Sequence, residues 1–413
     1  MPGTPTSAYV WVWLPGATQP AVAGRLDATG AIFTFTYGRS YLERETAVPL
    51  YLPELPLRPG RTRPLAGLRV AGCLNDAGPD GWGQRVILAR HAGRLTRDSD
   101  TTDLGLLTYL LESGSDRIGA LDFQQSPRTY VPRTAPATLT DLQTAAERFE
   151  RGDPLPASLD ATLLRGTSIG GARPKALIED GNRHLIAKFS SITDPYPVVR
   201  SEGVAMDLAR RVGLDVAATE VTSSLGKDVL LVERFDRTAV PGQRRMLVSA
   251  LTMLGLDEML GRYATYPDLA DLIRARFSEP LATLHELFSR IVFNICTSNT
   301  DDHARNHAAF WDGADLALAP AYDLCPQPRS GNEASQAMAI GRHGERRSKL
   351  RTCLDAAEVY LLTRSQAASI VDQQVTIINE QWAEASDTAR LTTVERQRLW
   401  HRQILNPFIS DDS

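Results

Sequence analysis

The segment Asp301-Asp302-His303-Ala304-Arg305-Asn306 holds the residue types that phosphoryl transfer to a hydroxyl requires. Such a transfer needs one carboxylate to orient the accepting hydroxyl. It also needs an amide oxygen and a second carboxylate to hold magnesium on the phosphates. In enzymes that run this chemistry the base and the amide stand as Asp-x-x-x-x-Asn, in a loop that follows a helix. Asp301 and Asn306 have that spacing, which selects Asp301 over Asp302 as the base. Downstream, Tyr322-Asp323-Leu324 puts a lone acid in an apolar setting, where the second metal-binding carboxylate belongs. Magnesium prefers hard oxygen ligands, so Asn306 and Asp323 are the candidate metal ligands. Each piece has a plainer reading: the Asp-to-Asn spacing arises by chance, and Asp323 alone suits a turn. Asp302, His303 and His307 also admit a zinc reading, although no HExxH and no further ligand accompany them.

A second group lies upstream. Gly166-Thr167-Ser168-Ile169-Gly170-Gly171 is a flexible loop whose backbone N–H groups can approach phosphate oxygens, and Lys175 follows it. Lys188 sits in the strand-like Ile186-Ala187-Lys188-Phe189, as a phosphate-contacting lysine would, and 14 residues later Glu202 falls on a helix where it could pair with it. A Gly-rich loop by itself is an ordinary turn. The order carries the argument: loop, strand lysine, helix glutamate, apolar strand, Asp-x-x-x-x-Asn, acid.

These residues need elements to position them. Tyr9 to Trp13 and Ile32 to Tyr37 read as strands, the second alternating apolar and hydroxyl residues. Pro79-Asp80-Gly81-Trp82-Gly83 is a turn entering a helix, and Gln125 to Thr140, with Pro127, Pro132 and Pro136, reads as a linker. Ala176 to Ile178 and His184 to Phe189 form a hairpin across Asp180-Gly181. A helix carries Glu202, Met206, Leu208 and Val212, and Val229 to Val232 is an apolar strand. Beyond about 245 the chain is mostly helical. Leu284, Leu287, Phe288, Ile291, Val292 and Ile295 form a helical stripe that runs into Ser298-Asn299-Thr300-Asp301. His307 to Phe310 and Leu316 to Leu318 flank the turn Asp312-Gly313. Thr363 with Gln366, and Thr392 with Glu395, are capping-box starts of two late helices. The expected organisation is an N-terminal module over 1–135, a loop-and-hinge region over 136–240 and a helical lobe over 241–413.

At 413 residues the chain exceeds one ordinary core. With 43% apolar and 23% charged residues it is globular rather than disordered. A net charge of −4 excludes a whole-molecule argument for nucleic-acid binding. Arg342, Arg346, Arg347, Lys349 and Arg351 form a local basic stretch, read as a solvated face, with contact to an anion, a partner or DNA as the alternative. Cys73, Cys296, Cys325 and Cys353 show no paired spacing and read as reduced, mostly buried thiols. The Pro- and Thr-rich start lacks the basic region of a signal peptide, and no apolar run is long enough to span a membrane. A cytoplasmic location is therefore expected.

Four segments together resemble the HipA family of type II toxin–antitoxin kinases. They are Thr167 to Lys175, reading Thr-Ser-Ile-Gly-Gly-Ala-Arg-Pro-Lys; Leu231-Val232-Glu233-Arg234-Phe235-Asp236-Arg237; Asn299 to Asn306; and Pro320-Ala321-Tyr322-Asp323-Leu324. The N-terminal strands and the Pro79 to Gly83 turn are similar to that family's N-terminal module. The resemblance implies an α+β, protein-kinase-like (HipA-like) fold: a small mixed β-containing N-terminal domain and a mostly helical C-terminal lobe. It implies ATP with Mg2+ as cofactors and a small helix-turn-helix antitoxin (HipB-like) as partner, with DNA reached only through that antitoxin. By the same resemblance adenine hangs from the hinge at Glu233 and Phe235, Lys188 holds phosphates, and Asp301 is the base. Ser168, Gly170, Gly171, Lys175, Glu202 and His303 complete the nucleotide-binding set, and Asn306 and Asp323 hold the metal.

Ser168 also matches the serine that family members autophosphorylate; otherwise it is a turn hydroxyl. Some family members phosphorylate an aminoacyl-tRNA synthetase, which makes that a candidate substrate. The chain departs from the family pattern at Asp302, where glycine is frequent, at Arg305, where lysine is common, and at Arg173-Pro174, which lacks the acid found before the lysine. These departures touch substrate choice more than chemistry. Two other readings stay open: a small-molecule phosphotransferase on the same fold, and a non-catalytic ATP-binding scaffold in a repressor complex.

Overall fold

The strand-like starts become a five-stranded sheet. Its strands are β1 (Ser7–Val12), β2 (Ala21–Thr29), β3 (Ile32–Tyr37), β4 (Arg61–Thr62) and β5 (Leu121–Gln124), in the order β4-β3-β2-β1-β5. β2 is the middle strand, and β1 pairs antiparallel with β2 and with the edge strand β5; a bulge between Val10 and Trp11 shifts the β1–β2 register. The computed structural model describes residues 4–92, 99–134, 137–153, 162–171, 173–191, 194–329, 331 and 333–410. The first 3 residues, Pro136 of the linker stretch and Ala172 of the loop motif lie outside them.

The chain divides into two compact units. Met1–Asp194, Ser223–Val248 and Phe310–Ala314 form one; Pro195–Thr222, Ser249–Ala309 and Asp315–Ser413 form the other. In the first unit, β6 (Lys175–Asp180) and β7 (Arg183–Phe189) form the expected hairpin, with Gly181 in the left-handed region at φ 58°. A residue with a Cβ is disfavoured there, which is why Asp-Gly marks the turn. β7 also pairs antiparallel with β9 (Lys227–Glu233); the sheet order is β6-β7-β9-β8, where β8 (Thr219–Ser224) lies in the second unit up to Thr222. One face of this sheet gives Ala176, Ala187, Phe189 and Val229 to a buried cluster with Trp82, Val86, Leu142, Ala145, Ala146 and Leu163.

Two helices supply the other side of that cluster. Gly81–Ala92 follows the Pro-Asp-Gly turn as expected. Leu139–Arg151 begins inside the stretch read as linker, because Thr138 and Asp141 close a capping box there. Its Leu142, Ala145 and Ala146 recur at helical spacing and face the cluster, whereas the proline content upstream drew the reading toward a linker.

In the second unit, Pro280–Cys296 is the central helix. Leu284, Leu287, Phe288, Ile291, Val292 and Ile295 are all fully buried, so the sequence stripe is a real core face. Burial of this kind is worth roughly 1.5–3 kcal/mol for each large side chain. Tyr266–Arg276 and Arg364–Thr388 pack beside it. Both late helices start at the expected capping boxes, Thr363 with Gln366 and Thr392 with Glu395. All four cysteines are free and buried. The basic stretch differs in part from a solvated face. Arg342 and Arg347 are half exposed and ion-paired to Asp271 and Glu333, but Lys349 is buried with its ammonium 4.8 Å from the centre of the Phe408 ring. An aromatic face attracts a cation, which favours drawing the lysine inward.

Candidate active site

The candidate residues divide between the units. Ser168, Gly170, Gly171, Lys175, Lys188, Glu233 and Phe235 belong to the first; Glu202, Asp301, His303, Asn306 and Asp323 belong to the second.

In the first unit the Gly-rich loop is held closely. An ideal Cβ on Gly83 would stand 2.2 Å from the Thr167 carbonyl oxygen, so only glycine lets the Gly81–Ala92 helix approach the loop this near. The Asp80 carboxylate accepts from the Gly171 backbone N–H at 3.0 Å, with Gly171 at φ 104°. Lys175 is buried and turns its Nζ back onto the Gly170 carbonyl. It faces Lys188 across the β6–β7 ladder. Ser168 points inward: it is 1% exposed and its Oγ donates to the Asp116 carbonyl at 3.0 Å.

The hinge segment is tied down by charge. Glu233 ends β9 at 3.6 Å from Arg183, and Phe235 meets Phe310 edge-on with ring centres 5.9 Å apart. Between and beyond them Arg234, Asp236 and Arg237 enter a buried ion network. Arg234 bonds Asp236 at 2.8 Å and Asp116 at 3.0 Å, and Arg237 bonds Asp116 at 2.5 Å. Gly119 N–H donates to Asp236 at 2.6 Å. Burial alone would raise the Asp236 carboxyl, but Arg234 and Arg237 more than offset that and hold it at about 2. Arg117 and Asp122, both fully buried, continue the network at 2.7 Å, with Arg133 at 2.8 Å from the same Asp122 oxygen. The Arg-x-Asp-Arg spacing was visible in the sequence, but nothing local marked Asp116 as its partner.

In the second unit the candidate loop is built as its spacing requires. The helix Pro280–Cys296 ends just ahead of it, and Ala304–Asn306 forms a single tight turn. Asn306 donates from Nδ2 to the Asp301 carbonyl at 3.3 Å, which brings the two ends of the Asp-x-x-x-x-Asn spacing together. The Asp301 side chain is exposed, whereas that of Asp302 is buried. Partial burial pushes the Asp301 carboxyl above its ordinary value; His303 opposes this, and the Asp323 and Asp302 carboxylates add to it. His303 and Asp323 are therefore both within electrostatic reach of Asp301. Asp323 adopts φ 60°, a left-handed conformation that aspartate tolerates better than most residues.

The zinc alternative meets a geometric obstacle. His303 is exposed, while His307 is buried and bonded to Asp302 at 2.8 Å. Among the described residues, Asp116, Glu179 and His184 bring ligand atoms within 4.8 Å of one another. Arg234 and Arg237 already claim that Asp116 carboxylate, and their charges oppose a cation there.

Among the described residues no helix is long and apolar enough to cross a membrane. The HipA N-terminal domain family matches residues 12–124, and the HipA-like C-terminal domain family matches residues 167–382. Y4mE of Sinorhizobium fredii, which carries the name of a kinase, is 26% identical over 386 residues, covering 85% of each chain. The serine/threonine-protein kinase toxin HipA of Shewanella oneidensis is 28% identical over 183 residues, which is 38% of this chain and 42% of that one. A solved complex of Shewanella oneidensis MR-1 HipA with HipB and operator DNA is 21% identical at a TM-score of 0.68, covering 98% of this chain and 100% of that one. The fold is accordingly the α+β, protein-kinase-like fold of HipA. With family matches over both its N-terminal and C-terminal regions, the chain belongs to the HipA family.

Proposed function

We propose that this chain is an ATP- and magnesium-dependent Ser/Thr protein kinase, acting as the toxin of a type II toxin–antitoxin system. The observation that carries the reading is the second unit's arrangement of Asp301, Asn306 and Asp323 on a HipA-family fold. Partial burial and the Asp323 carboxylate raise the cost of ionising Asp301, and a divalent cation held nearby would relieve it. Asn306 and Asp323 form the hard-oxygen pair that would hold magnesium, and Asp301 stays free to act as the base. Magnesium, when bound with ATP, neutralises charge on the phosphates. Asp301 orients the accepting hydroxyl and receives its proton. Lys188 holds phosphates, and Gly170, Gly171, Lys175, Glu202 and His303 complete the nucleotide-binding set. Glu233 and Phe235 meet the adenine.

The partner we propose is a helix-turn-helix antitoxin with DNA reached through it, a reading supported by the solved complex of a similar HipA with HipB and operator DNA. The protein acceptor we favour is an aminoacyl-tRNA synthetase.

Autophosphorylation at Ser168 gives the first test. Ser168 is buried in the described conformation, so the loop must leave it before the hydroxyl can accept phosphate. A phosphoserine then carries about two negative charges and no donor for the Asp116 carbonyl, so it holds the loop out and switches the enzyme off. Purified protein incubated with labelled ATP and magnesium is expected to carry phosphate on Ser168, read by mass spectrometry of the 167–175 peptide. Asp301→Asn is expected to carry none. ATP binding without label in the wild type, on itself or on any protein, would move the reading to a small-molecule phosphotransferase or an inert scaffold.

A further inference from the structure

The loop that carries Asp301 and Asn306 is closed from behind by a buried polar set that the phosphoryl-transfer reading does not itself use. Asp302 Oδ2 accepts three hydrogen bonds: from Tyr266 Oη at 2.5 Å, from Asn294 Nδ2 at 2.8 Å and from His307 Nε2 at 2.8 Å. All four side chains are buried. Tyr266 opens the helix Tyr266–Arg276, and Asn294 lies in the last turn of Pro280–Cys296. The Tyr266 ring also stands edge-on to the His307 ring, 5.8 Å between centres. Asn294 Oδ1 in turn accepts from Asn299 Nδ2 at 2.9 Å, just ahead of the loop.

The connectivity gives the set its meaning. Asp302 follows Asp301 and His307 follows Asn306, so the Asp302–His307 bond ties the two ends of the loop one residue inside and outside its working side chains. Within the closure, the Asn306 N–H donates to the His303 carbonyl at 2.8 Å. Tyr266 and Asn294 then fix the closed loop to two helices. Apolar side chains could fill this volume without the desolvation cost of polar groups. What they could not supply is directional bonds at both ends of the loop.

We propose that Asp302, His307, Tyr266 and Asn294 are positioning residues: a buried clasp that sets the separation and orientation of Asp301 and Asn306. The proposal rests on the kinase reading for its catalytic consequence, but the clasp has its own readout. His307→Leu removes the donor while keeping an apolar side chain of similar bulk. His307→Gln keeps an N–H donor of similar reach.

In His307→Leu, kcat for autophosphorylation is expected to fall about 30- to 100-fold, while KM for ATP stays within about threefold. Hydrogen exchange in peptides covering 301–307 is expected to quicken about tenfold or more, with the remaining peptides unchanged. His307→Gln should recover kcat to within about fivefold of wild type and restore slow exchange in 301–307, because the donor that Asp302 needs is present again. Should His307→Leu fail to fold, Tyr266→Phe removes one donor without changing the ring, and a kcat loss of about five- to tenfold is expected. Wild-type kcat and wild-type exchange in His307→Leu would overturn the clasp, as would equal losses in Leu and Gln. A wild type that binds ATP yet transfers no phosphate overturns the kinase reading instead, and the exchange measurement then decides the clasp alone.

Discussion

Asp301→Asn is expected to lower the turnover of phosphoryl transfer by about 10³-fold, with Mg-ATP affinity within about threefold of wild type. The substitution keeps the size of the side chain and its bond-accepting oxygen, but an amide cannot receive the hydroxyl proton. The local structure supports a clean loss of chemistry. Asp301 is exposed at the surface of the loop, and the Asn306 amide bonds its backbone carbonyl rather than its side chain. Loop geometry therefore does not depend on the carboxylate. Partial burial and the Asp323 carboxylate hold the Asp301 carboxyl above its ordinary value, which brings it closer to the working pH of a general base. Single-turnover kinetics beside calorimetric titration of Mg-ATP separates the two effects. Wild-type turnover in Asp301→Asn would remove Asp301 as the base.

The second large effect concerns stability. Asp122→Asn is expected to cost about 3–5 kcal/mol, read from the urea midpoint, because it leaves Arg117 and Arg133 without their shared carboxylate. Arg117 has no route to water: its side chain is fully buried, with its remaining donors on the Ala77 and Leu110 carbonyls. Replacing both partners, as Arg117→Leu with Asp122→Leu, should lose less than the sum of the single changes, since no charge is then stranded. An Asp122→Asn protein of wild-type stability would show that this pair contributes nothing.

The same network sets an acid limit. Asp122 and Asp236 are both held below their ordinary carboxylate values by arginines that outweigh their burial, Asp236 at about 2. A carboxyl depressed in the folded state adds stability that is fully present above its unfolded value, near pH 4, and is lost as pH falls through the folded one. The first unit should therefore weaken between about pH 4 and pH 2, and Asp236→Asn should flatten that slope in a pH series of urea midpoints.

How much of this was legible in the chain follows from how far apart the interacting residues lie. The hairpin at Asp180-Gly181, the capping boxes at Thr363 and Thr392 and the buried stripe of Pro280–Cys296 all rest on residues a few positions apart. Backbone geometry and helical period act over that range, so residue type and spacing were enough. The Asp301-to-Asn306 spacing belongs to the same class, because the hydrogen bond that closes it spans five residues. The helix at Leu139–Arg151 was half hidden, since the prolines before it spoke louder than one capping box.

Tertiary structure alone decided the rest. Ser168 is a loop serine by sequence, and only its bond to a carbonyl 52 positions away turns it inward. Asp302 looked like a rejected alternative for the base. Tyr266, 36 positions upstream, and Asn294 make it the centre of a clasp. Asp116 carries no local mark at all; Arg234 and Arg237 reach it from 118 and 121 positions further on. A buried charge or hydroxyl must find its partner wherever the fold brings one within about 3 Å, and no periodicity along the chain records that choice. Residue types and short spacings thus determined the local elements and the candidate chemistry, while the packing of distant segments decided which polar groups are exposed and which are buried.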